Sequence, residues 1–305
     1  MTLIDARPRA DAPSRHTPMF VPTDLLMVVM VAIWGFNFPV VKYGTRIMPP
    51  LAFNAVRISI AAVVLLAFAA ITVRTRPSRR QVLLLIALGA LGNGVFQMVF
   101  VGSVVNTDVG PAALLLASSP AFIALLSRAM GLGEITPRCA IGIALSLAGV
   151  ALIALTSRVA IDGTSSLEGN LLAILGAVIW AVYVVLQAKY ADKADTTAVA
   201  ALTLAGGALV LGIFGFPAVL ATDWTSLPMN AWLAILYGGL ISLGIATVFW
   251  YRGIRVLGAT RTGIYLHLEP VFALIAAWIW MNEHPTPLQG LGAITILAGV
   301  TLTHT

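Results

Sequence analysis

The chain has 305 residues, of which 59% are hydrophobic and only 10% are charged, and its formal net charge is +6. A soluble domain carries about 25% charged residues, and a chain of this length has too little interior to hide so much apolar surface. The composition therefore excludes a soluble globular protein. Apolar blocks near the length of a spanning helix favour helices over a β-barrel, whose strands alternate apolar and polar residues.

The basic residues do not indicate nucleic-acid binding, because they border apolar segments, where positive charge reports membrane orientation. The single cysteine, Cys139, excludes an internal disulfide and a cysteine-cluster metal site. Residues 1–23 contain three arginines and several prolines and predict a disordered cytoplasmic tail. A cleaved signal peptide fits poorly, because the apolar run that follows is too long and no small-residue cleavage site ends it.

Short polar breaks divide the remaining chain into apolar segments that predict an all-α integral membrane protein with ten transmembrane helices. Because the breaks are short, consecutive helices are expected to be antiparallel. The predicted spans are residues 24–45, 50–73, 81–103, 109–130, 138–157, 169–190, 197–220, 230–252, 260–281 and 286–303.

The distribution of Lys and Arg predicts how the chain is threaded. With a cytoplasmic N-terminus, fourteen of the 18 basic residues fall in cytoplasmic segments, three fall outside, and Arg57 lies within the membrane. Cytoplasmic loops are enriched in Lys and Arg, so this asymmetry predicts two cytoplasmic termini and an even number of spans. The predicted location is the cell inner (plasma) membrane.

Several segments occur twice in the same order, at an offset of about 146 to 150 residues. Five spans in each copy is an odd number, so the second copy enters the membrane from the opposite side. This predicts two inverted five-helix repeats, an arrangement that recurs in secondary transporters. The matching pairs are "AIWGFNF" at 32–38 with "VIWAVYV" at 178–184, residues 119–137 with 269–287, and "LAGV" at 147–150 with 297–300.

The repeat divides the chain beyond the tail into two halves. The first five-helix repeat covers residues 24–157 and the second covers residues 169–305, with an outer linker at 158–168 between them. Glu134 and Glu283 end equivalent helices in the two halves and are expected to cap neighbouring helix starts. Pro39, Pro111, Pro120, Pro217 and Pro270 are expected to remove backbone hydrogen-bond donors and to kink helices, so that they can act as hinges.

The order of a proline within a helix, a glutamate at the helix end, a further proline and a closing "LAGV", found twice, resembles the EamA branch of the drug/metabolite transporter superfamily. The resemblance implies ten helices in two inverted repeats and the movement of small metabolites. "GAVIWAVYVVLQAKYA" at 176–191 is similar to the corresponding segment of an aromatic amino acid exporter of that branch. It implies transport of small neutral amino acids, aromatic or large apolar, in the export direction. Another metabolite or a drug is the alternative.

Arg57 and Glu269 are predicted to lie deep in the membrane. At 1.5 Å per residue, Glu269 lies about 12 Å from the cytoplasmic end of its span and Arg57 about 10 Å from the outer end of its own. The gap between them is then about 8 Å in a core of about 30 Å. The two can form a structural ion pair or be satisfied by the backbone. Alternatively, one or both line a wet cavity and bind a zwitterion, or a boundary error exposes one.

His267 and Glu269 are two residues apart, hence about 200° apart around an α-helix. We therefore expect that they do not face the same cavity and that at most one of them lines the solute path. Tyr265 lies four residues before Glu269, on the same face. All three are candidate substrate-binding residues, and a hydrogen-bonded buried imidazole is the alternative for His267.

Three other spans combine aromatic and amide side chains. Amides in hydrocarbon need a partner, which can be a substrate or a neighbouring helix. Aromatic faces with a few amides suit a neutral, partly apolar solute, although packing explains aromatic residues equally well. The candidates are Trp34 and Asn37 in the first span, Asn93 and Gln97 in the third, and Trp180, Tyr183 and Gln187 in the sixth.

No GxxxxGK[ST] loop is present, which excludes an ATP-driven pump. We expect no cofactor, no metal and no nucleic acid; the expected partners are a small-molecule substrate, an amino acid, and the lipid bilayer. The oligomeric state is left open, and a monomer is compatible with the sequence.

Two alternatives of other classes are an intramembrane enzyme that uses Glu269 and His267 as acid and base, and a lipid scramblase.

Overall fold

The structure is a computed structural model, and it describes residues 22–73, 77–131, 135–156, 166–190, 195–257, 262 and 265–303. These residues are almost entirely helical, and none of them forms a β-strand. The helices are α1 (Pro22–Ile47), α2 (Pro50–Thr72), α3 (Arg79–Asn106), α4 (Val109–Ala129), α5 (Pro137–Thr156), α6 (Leu167–Tyr190), α7 (Thr196–Ala221), α8 (Met229–Leu257), α9 (Glu269–Met281) and α10 (Pro287–Thr303).

Seven of these helices, α1 to α4 and α6 to α8, are long and apolar enough to cross a membrane, with 21 to 29 residues each. Helices α5, α9 and α10 are apolar and have shorter described stretches. The prediction of an all-helical fold with several helices able to cross a membrane is therefore confirmed. In the predicted ninth span, 260–281, Thr262 and Tyr265 are helical, and a 3₁₀ turn at Leu266–Leu268 then precedes α9.

Local sequence signals set several helix ends. Ser78 and Gln81 form a reciprocal capping box at the start of α3, which satisfies two backbone amides that have no partner within the helix. Asp195 accepts hydrogen bonds from two backbone amides in the first turn of α7. Asn282 ends α9 in the left-handed conformation, with a φ of 56°.

A π-helical turn interrupts each of two helices that hold equivalent places in the two halves. The turn at Ala90–Val95 lies within α3, and the turn at Tyr237–Ile245 lies within α8. Both segments are rich in glycine. Such turns widen a helix locally and are frequent at functional sites.

Two further helices are interrupted at equivalent places, and each interruption precedes a proline. Helix α4 breaks at residues 117–118, so that Pro120 lies in the first turn of its second part. Pro270 likewise lies in the first turn of α9, after the 3₁₀ turn. Proline suits a first turn because the missing N–H has no helical partner there. Pro120 and Pro270 thus lie at interruptions of helices, whereas Pro39 and Pro217 lie inside α1 and α7.

The contacts between helices follow a pattern that stays the same when the two halves are exchanged. Helix α5 packs along α10, and α2 packs along α7. Helix α1 packs against α9 as α6 packs against α4. Helix α2 contacts the π turn of α8 as α7 contacts the π turn of α3. This is the contact pattern that a pseudo-two-fold axis between repeats produces.

Glycine contacts between α5 and α10 show the relative direction of these two helices. A Cβ on Gly149 would lie 2.8 Å from the carbonyl oxygen of Gly292, and a Cβ on Gly299 would lie 2.5 Å from that of Gly142. The later part of each helix therefore meets the earlier part of the other, so α5 and α10 are antiparallel. Gly149 and Gly299 hold the same place in the two "LAGV" segments.

Glycines also bring α3 and α7 together beside the cavity described below. A Cβ on Gly206 would overlap the carbonyl oxygen of Ile86, and a Cβ on Gly207 would lie 2.6 Å from the Cβ of Asn93. Small residues permit this close approach of two backbones. The contact holds Asn93 firmly against α7.

Some predicted features lie outside the described residues. These are residues 1–21 of the tail, residues 158–165 of the linker, and Glu134. Glu283 is described, and its two carboxylate oxygens accept hydrogen bonds from the backbone amides of Val109 and Gly110, each at 3.2 Å. The prediction that Glu283 caps a neighbouring helix start is confirmed.

Candidate functional site

A cavity lies where the interrupted parts of the helices meet. The centre of a water molecule can occupy about 110 Å³ of it, whereas a single buried water needs roughly 10–15 Å³. Six helices supply the wall: α1, α3, α4, α6, α8 and the start of α9. The cavity therefore has room for a small solute between elements of both halves.

Most of the side chains predicted from the sequence lie on this wall, and three do not. Arg57, Gln187 and Tyr265 are not lining residues. Those that line the cavity are Trp34, Asn37, Asn93, Gln97, Trp180, Tyr183, His267 and Glu269.

Aromatic rings make up much of the wall. The ring of Trp34 lies 6.2 Å from that of its repeat equivalent, Trp180, edge to face, and 5.8 Å from that of Trp250. Trp180 also lies 5.1 Å from the ring of Phe96 and 5.4 Å from that of Tyr183. Centroid distances of this size are typical of favourable aromatic pairs. The rings offer a rigid, apolar surface to a solute.

Two tyrosine hydroxyl groups close one part of the wall. The Oη atoms of Tyr183 and Tyr251 lie 2.5 Å apart, and that of Tyr251 lies 3.3 Å from Oγ1 of Thr203. Tyr183 packs on Gly92 in the π turn of α3, where a Cβ would collide with its ring. Gln187, one turn after Tyr183, is buried within hydrogen-bonding reach of Tyr251. Gln187 thus supports the wall from behind.

Glu269 and His267 both line the cavity. The expectation that they face different sides was wrong, because it assumed one continuous α-helix through both residues. His267 lies in the 3₁₀ turn and Glu269 in the first turn of α9, so both sit at the end of a helix that meets the cavity. No described residue forms a hydrogen bond or ion pair with the Glu269 carboxylate, which leaves it available to a solute.

Arg57 is fully buried behind the wall and is held by amide oxygens. Its guanidinium donates to Oε1 of Gln97 at 2.6 Å, to Oδ1 of Asn54 at 3.0 Å and to Oδ1 of Asn37 at 3.5 Å. The cation also lies 5.4 Å from the ring centre of Phe53. Within the described residues, no ion pair joins Arg57 to a carboxylate. The ion pair with Glu269 that the sequence suggested is not formed.

Two buried N–H donors on the wall form no full hydrogen bond with a described residue: Nε1 of Trp250, and Nδ2 of Asn93, which lies near the hydroxyl of Tyr183. Asn93 is 6% exposed and Trp250 is 4% exposed. Buried donors in folded proteins are nearly always paired, so such exceptions commonly mark a place for water or a ligand.

Polar contacts join helix ends on both sides of the cavity along α1. Near the start of α1, the hydroxyl of Tyr265 donates to Oδ1 of Asp24 at 2.6 Å. Near its end, Nζ of Lys42 donates to the carbonyl oxygen of Thr107 at 2.6 Å. Asp24 and Lys42 are buried, so Arg57 and Glu269 are not the only charged residues inside the described helices. Tyr265 thus forms a hydrogen bond to α1 and does not line the cavity.

The sequence interpretation missed several lining residues, chiefly on α8. Trp250, Tyr251, Ser242 and Thr247 line the cavity, and so does Ser119 of α4. Ser119 could have been predicted from the sequence, because the repeat aligns it with Glu269. Ser242 lies within the π turn of α8, and Thr247, Trp250 and Tyr251 follow it. A π turn shifts the face that a helix presents, so an α-helical period misplaces these residues.

Three comparisons relate the chain to known proteins. The sequence profile of the EamA-like transporter family matches it twice, over residues 21–155 and 167–305. The uncharacterized transporter YdfC of Bacillus subtilis is 29% identical over 276 residues, which cover 90% of this chain and 89% of that protein. An uncharacterized transporter of Archaeoglobus fulgidus is 29% identical over 282 residues, covering 92% and 96%.

A relative with a more specific name is described as a "probable terminal-alkyne amino-acid exporter" of Streptantibioticus cattleyicolor. It is 29% identical over 280 residues, covering 90% of this chain and 91% of that protein. One solved protein structure superimposes with a TM-score of 0.62 at 21% identity, covering 92% of this chain and 96% of the other. At that identity the likeness concerns the fold alone.

Proposed function

The chain belongs to the EamA-like transporter family, and we propose that it is a secondary transporter of small neutral amino acids, aromatic or large apolar. The proposed direction is export across the cell inner membrane. Transporters of this family are not enzymes, so an intramembrane enzyme acting through Glu269 and His267 is excluded.

The observation that carries the substrate class is the composition of the cavity wall. It combines a cluster of aromatic rings with a carboxylate, Glu269, that has no partner among the described residues. The rings suit an apolar side chain, and the carboxylate suits an ammonium group. The name of the Streptantibioticus relative supports both the amino acid class and the direction of export.

We further propose that all ten helices span the membrane and that the two halves are inverted repeats. The antiparallel contact of α5 with α10 supports this, because these helices hold equivalent places in the two halves. The two successive matches of the family profile support it as well. The concentration of Lys and Arg in alternate loops supports cytoplasmic termini.

Inverted halves that enclose a cavity suit alternating access. Each half can adopt the conformation of the other, which exchanges an opening on one side of the membrane for an opening on the other. The contacts Tyr265–Asp24 and Lys42–Thr107 lie on opposite sides of the cavity along α1, so one would separate as the cavity opens toward its side.

Flux measurements in proteoliposomes test the proposal. Radiolabelled phenylalanine or leucine is expected to enter in a saturable way, to be displaced by unlabelled competitors, and to move faster when unlabelled amino acid is present on the other side. Equal leak of unrelated solutes would instead indicate a pore or a scramblase. Saturable flux of another solute class, without competition by amino acids, would reassign the substrate.

A further inference from the structure

We infer that Arg57, although it does not reach the cavity, orients amide groups on the cavity wall so that they form a subsite for a carboxylate. This inference rests on the proposed function, because it concerns how the same cavity would hold the carboxylate end of an amino acid. Arg57 is thus a positioning residue, and Asn37 and Gln97 are the residues that would touch the ligand.

The chemistry of the guanidinium fixes which atom of each amide faces it. A guanidinium has only donors, and it keeps its proton in proteins. The atoms that lie 2.6 Å and 3.5 Å from it in Gln97 and Asn37 must therefore be the carbonyl oxygens. The NH₂ group of each amide is then held away from Arg57. A donor-only partner thus fixes the orientation of each amide.

The NH₂ groups of Asn37 and Gln97 belong to residues that line the cavity. No described residue accepts a hydrogen bond from either group. The third amide around Arg57, that of Asn54, differs: its Nδ2 donates to the backbone oxygen of Gln97 at 2.9 Å, and Asn54 is not a lining residue. Arg57 thus turns two donors toward the cavity and one into the protein.

A third amide donor adjoins these two. Asn93 lies four residues before Gln97 on α3, and its buried Nδ2 lies near the hydroxyl of Tyr183 without forming a full hydrogen bond to it. This part of the wall therefore offers donors without matching acceptors. A carboxylate accepts several hydrogen bonds and donates none, so its chemistry complements such a surface.

The charge of Arg57 points to the same ligand. The guanidinium is completely buried, and its described hydrogen-bond partners are neutral amides. A buried charge without a counter-charge is unfavourable, and an anion on the far side of Asn37 and Gln97 would offset it. Together with Glu269, the cavity would then bind both ends of a zwitterion.

Two isosteric variants test the subsite: Asn37→Asp and Gln97→Glu. Each keeps an oxygen for Arg57, so folding is expected to survive, but each replaces the cavity-facing NH₂ with an oxygen. Asn54→Asp is the matched control, because it adds the same charge beside Arg57 without changing a donor on the wall. Purified proteins are compared by size-exclusion chromatography and then by calorimetric titration with two probes, phenylalanine and phenylalaninamide, which lacks the carboxylate.

We expect the two variants to bind phenylalanine about tenfold or more weakly than the wild type, the size of effect that a lost hydrogen bond to a charged group produces. Their affinity for phenylalaninamide should stay the same or rise, and Asn54→Asp should have a clearly smaller effect on phenylalanine. Equal losses for both probes, or unchanged phenylalanine binding in both variants, would overturn the subsite while leaving the proposed function intact. A wild type that neither binds nor transports amino acids would overturn both.

Discussion

Gly35 of α1 lies directly against the backbone at the start of α9: a Cβ at this position would lie 2.7 Å from the carbonyl oxygen of Glu269 and 2.6 Å from the Cβ of Phe272. Helix α9 can approach α1 this closely only because Gly35 has no side chain. The contact fixes the position of Glu269 along α1, and so the place where Glu269 meets the cavity. It also joins a helix of the first half to a helix of the second.

Gly35→Ala should therefore displace α9, since the nearest atoms belong to the backbone of α9 and to the root of a side chain. Overpacking of this kind typically costs about 1–3 kcal/mol. We expect a lower unfolding temperature in detergent and slower transport. Gly212→Ala is the control, because a Cβ at Gly212 of α7 meets nothing within 4 Å. Equal stability of the two variants would contradict the packing that we describe.

Trp180→Ala and Tyr183→Ala should each impair transport while leaving the protein folded. Both rings form the wall of the cavity, and removing one leaves the apolar part of the solute without its contact. We expect KM for phenylalanine to rise about tenfold, in line with the contribution of a buried aromatic contact. Trp278→Ala is the control, since Trp278 is 57% exposed on the outside of the bundle. Unchanged kinetics in both cavity variants would argue against this site.

Glu269→Gln should weaken the binding of solutes that carry an ammonium group, because the amide keeps the shape of the side chain but loses its charge. The deaminated analogue of the substrate should lose much less affinity. Glu168→Gln, which changes an exposed carboxylate at the start of α6, is the control.

The same variant tests proton coupling. If Glu269 couples transport to protons, a pH gradient should accelerate flux by the wild type and not by Glu269→Gln. If wild-type flux ignores the gradient, Glu269 is not a coupling site and the protein is a facilitator.

Glu283 predicts a pH dependence of stability. Burial raises the pKa of Glu283 above its ordinary value of 4.5, against the lowering effect of the two backbone hydrogen bonds from Val109 and Gly110. The folded state then holds the proton more tightly than the unfolded chain, so the contribution of Glu283 to stability falls as pH rises from 4.5 through the raised pKa. Glu283→Gln lacks this dependence.

Unfolding temperatures of the wild type and Glu283→Gln should be compared between pH 4 and pH 8. The wild type should lose stability relative to the variant as the pH rises. A constant difference would mean that the two backbone hydrogen bonds balance the effect of burial, and a difference that moves in favour of the wild type would mean that they outweigh it.

The sequence was informative about elements that depend on composition and local signals. Apolar length located the helices, and the capping role of Glu283 followed from its position after α9. The repeat correctly brought Trp34 and Trp180 into one cluster, because equivalent residues of two symmetric halves meet near their axis.

What the sequence could not predict depends on departures from α-helical geometry. The 3₁₀ turn before Glu269 brought His267 and Glu269 to the same cavity, and the π turn in α8 presented Trp250 and Tyr251. The partners of Arg57 also required the fold, since Asn37 and Gln97 come from other helices. Asn54 is the exception, because a spacing of three residues on one helix already predicts contact with Arg57.

We claim that two oppositely threaded halves enclose a cavity that opens to either side of the membrane, and the thiol accessibility of Ser119→Cys in a Cys139→Ala background tests this claim. Position 119 lines the cavity at the break in α4. Membrane-impermeant thiol reagents are applied to right-side-out and inside-out vesicles, with and without phenylalanine. We predict labelling from both sides, slowed by phenylalanine in each case. Labelling from one side only, whatever the substrate, or no labelling from either side, would contradict the claim.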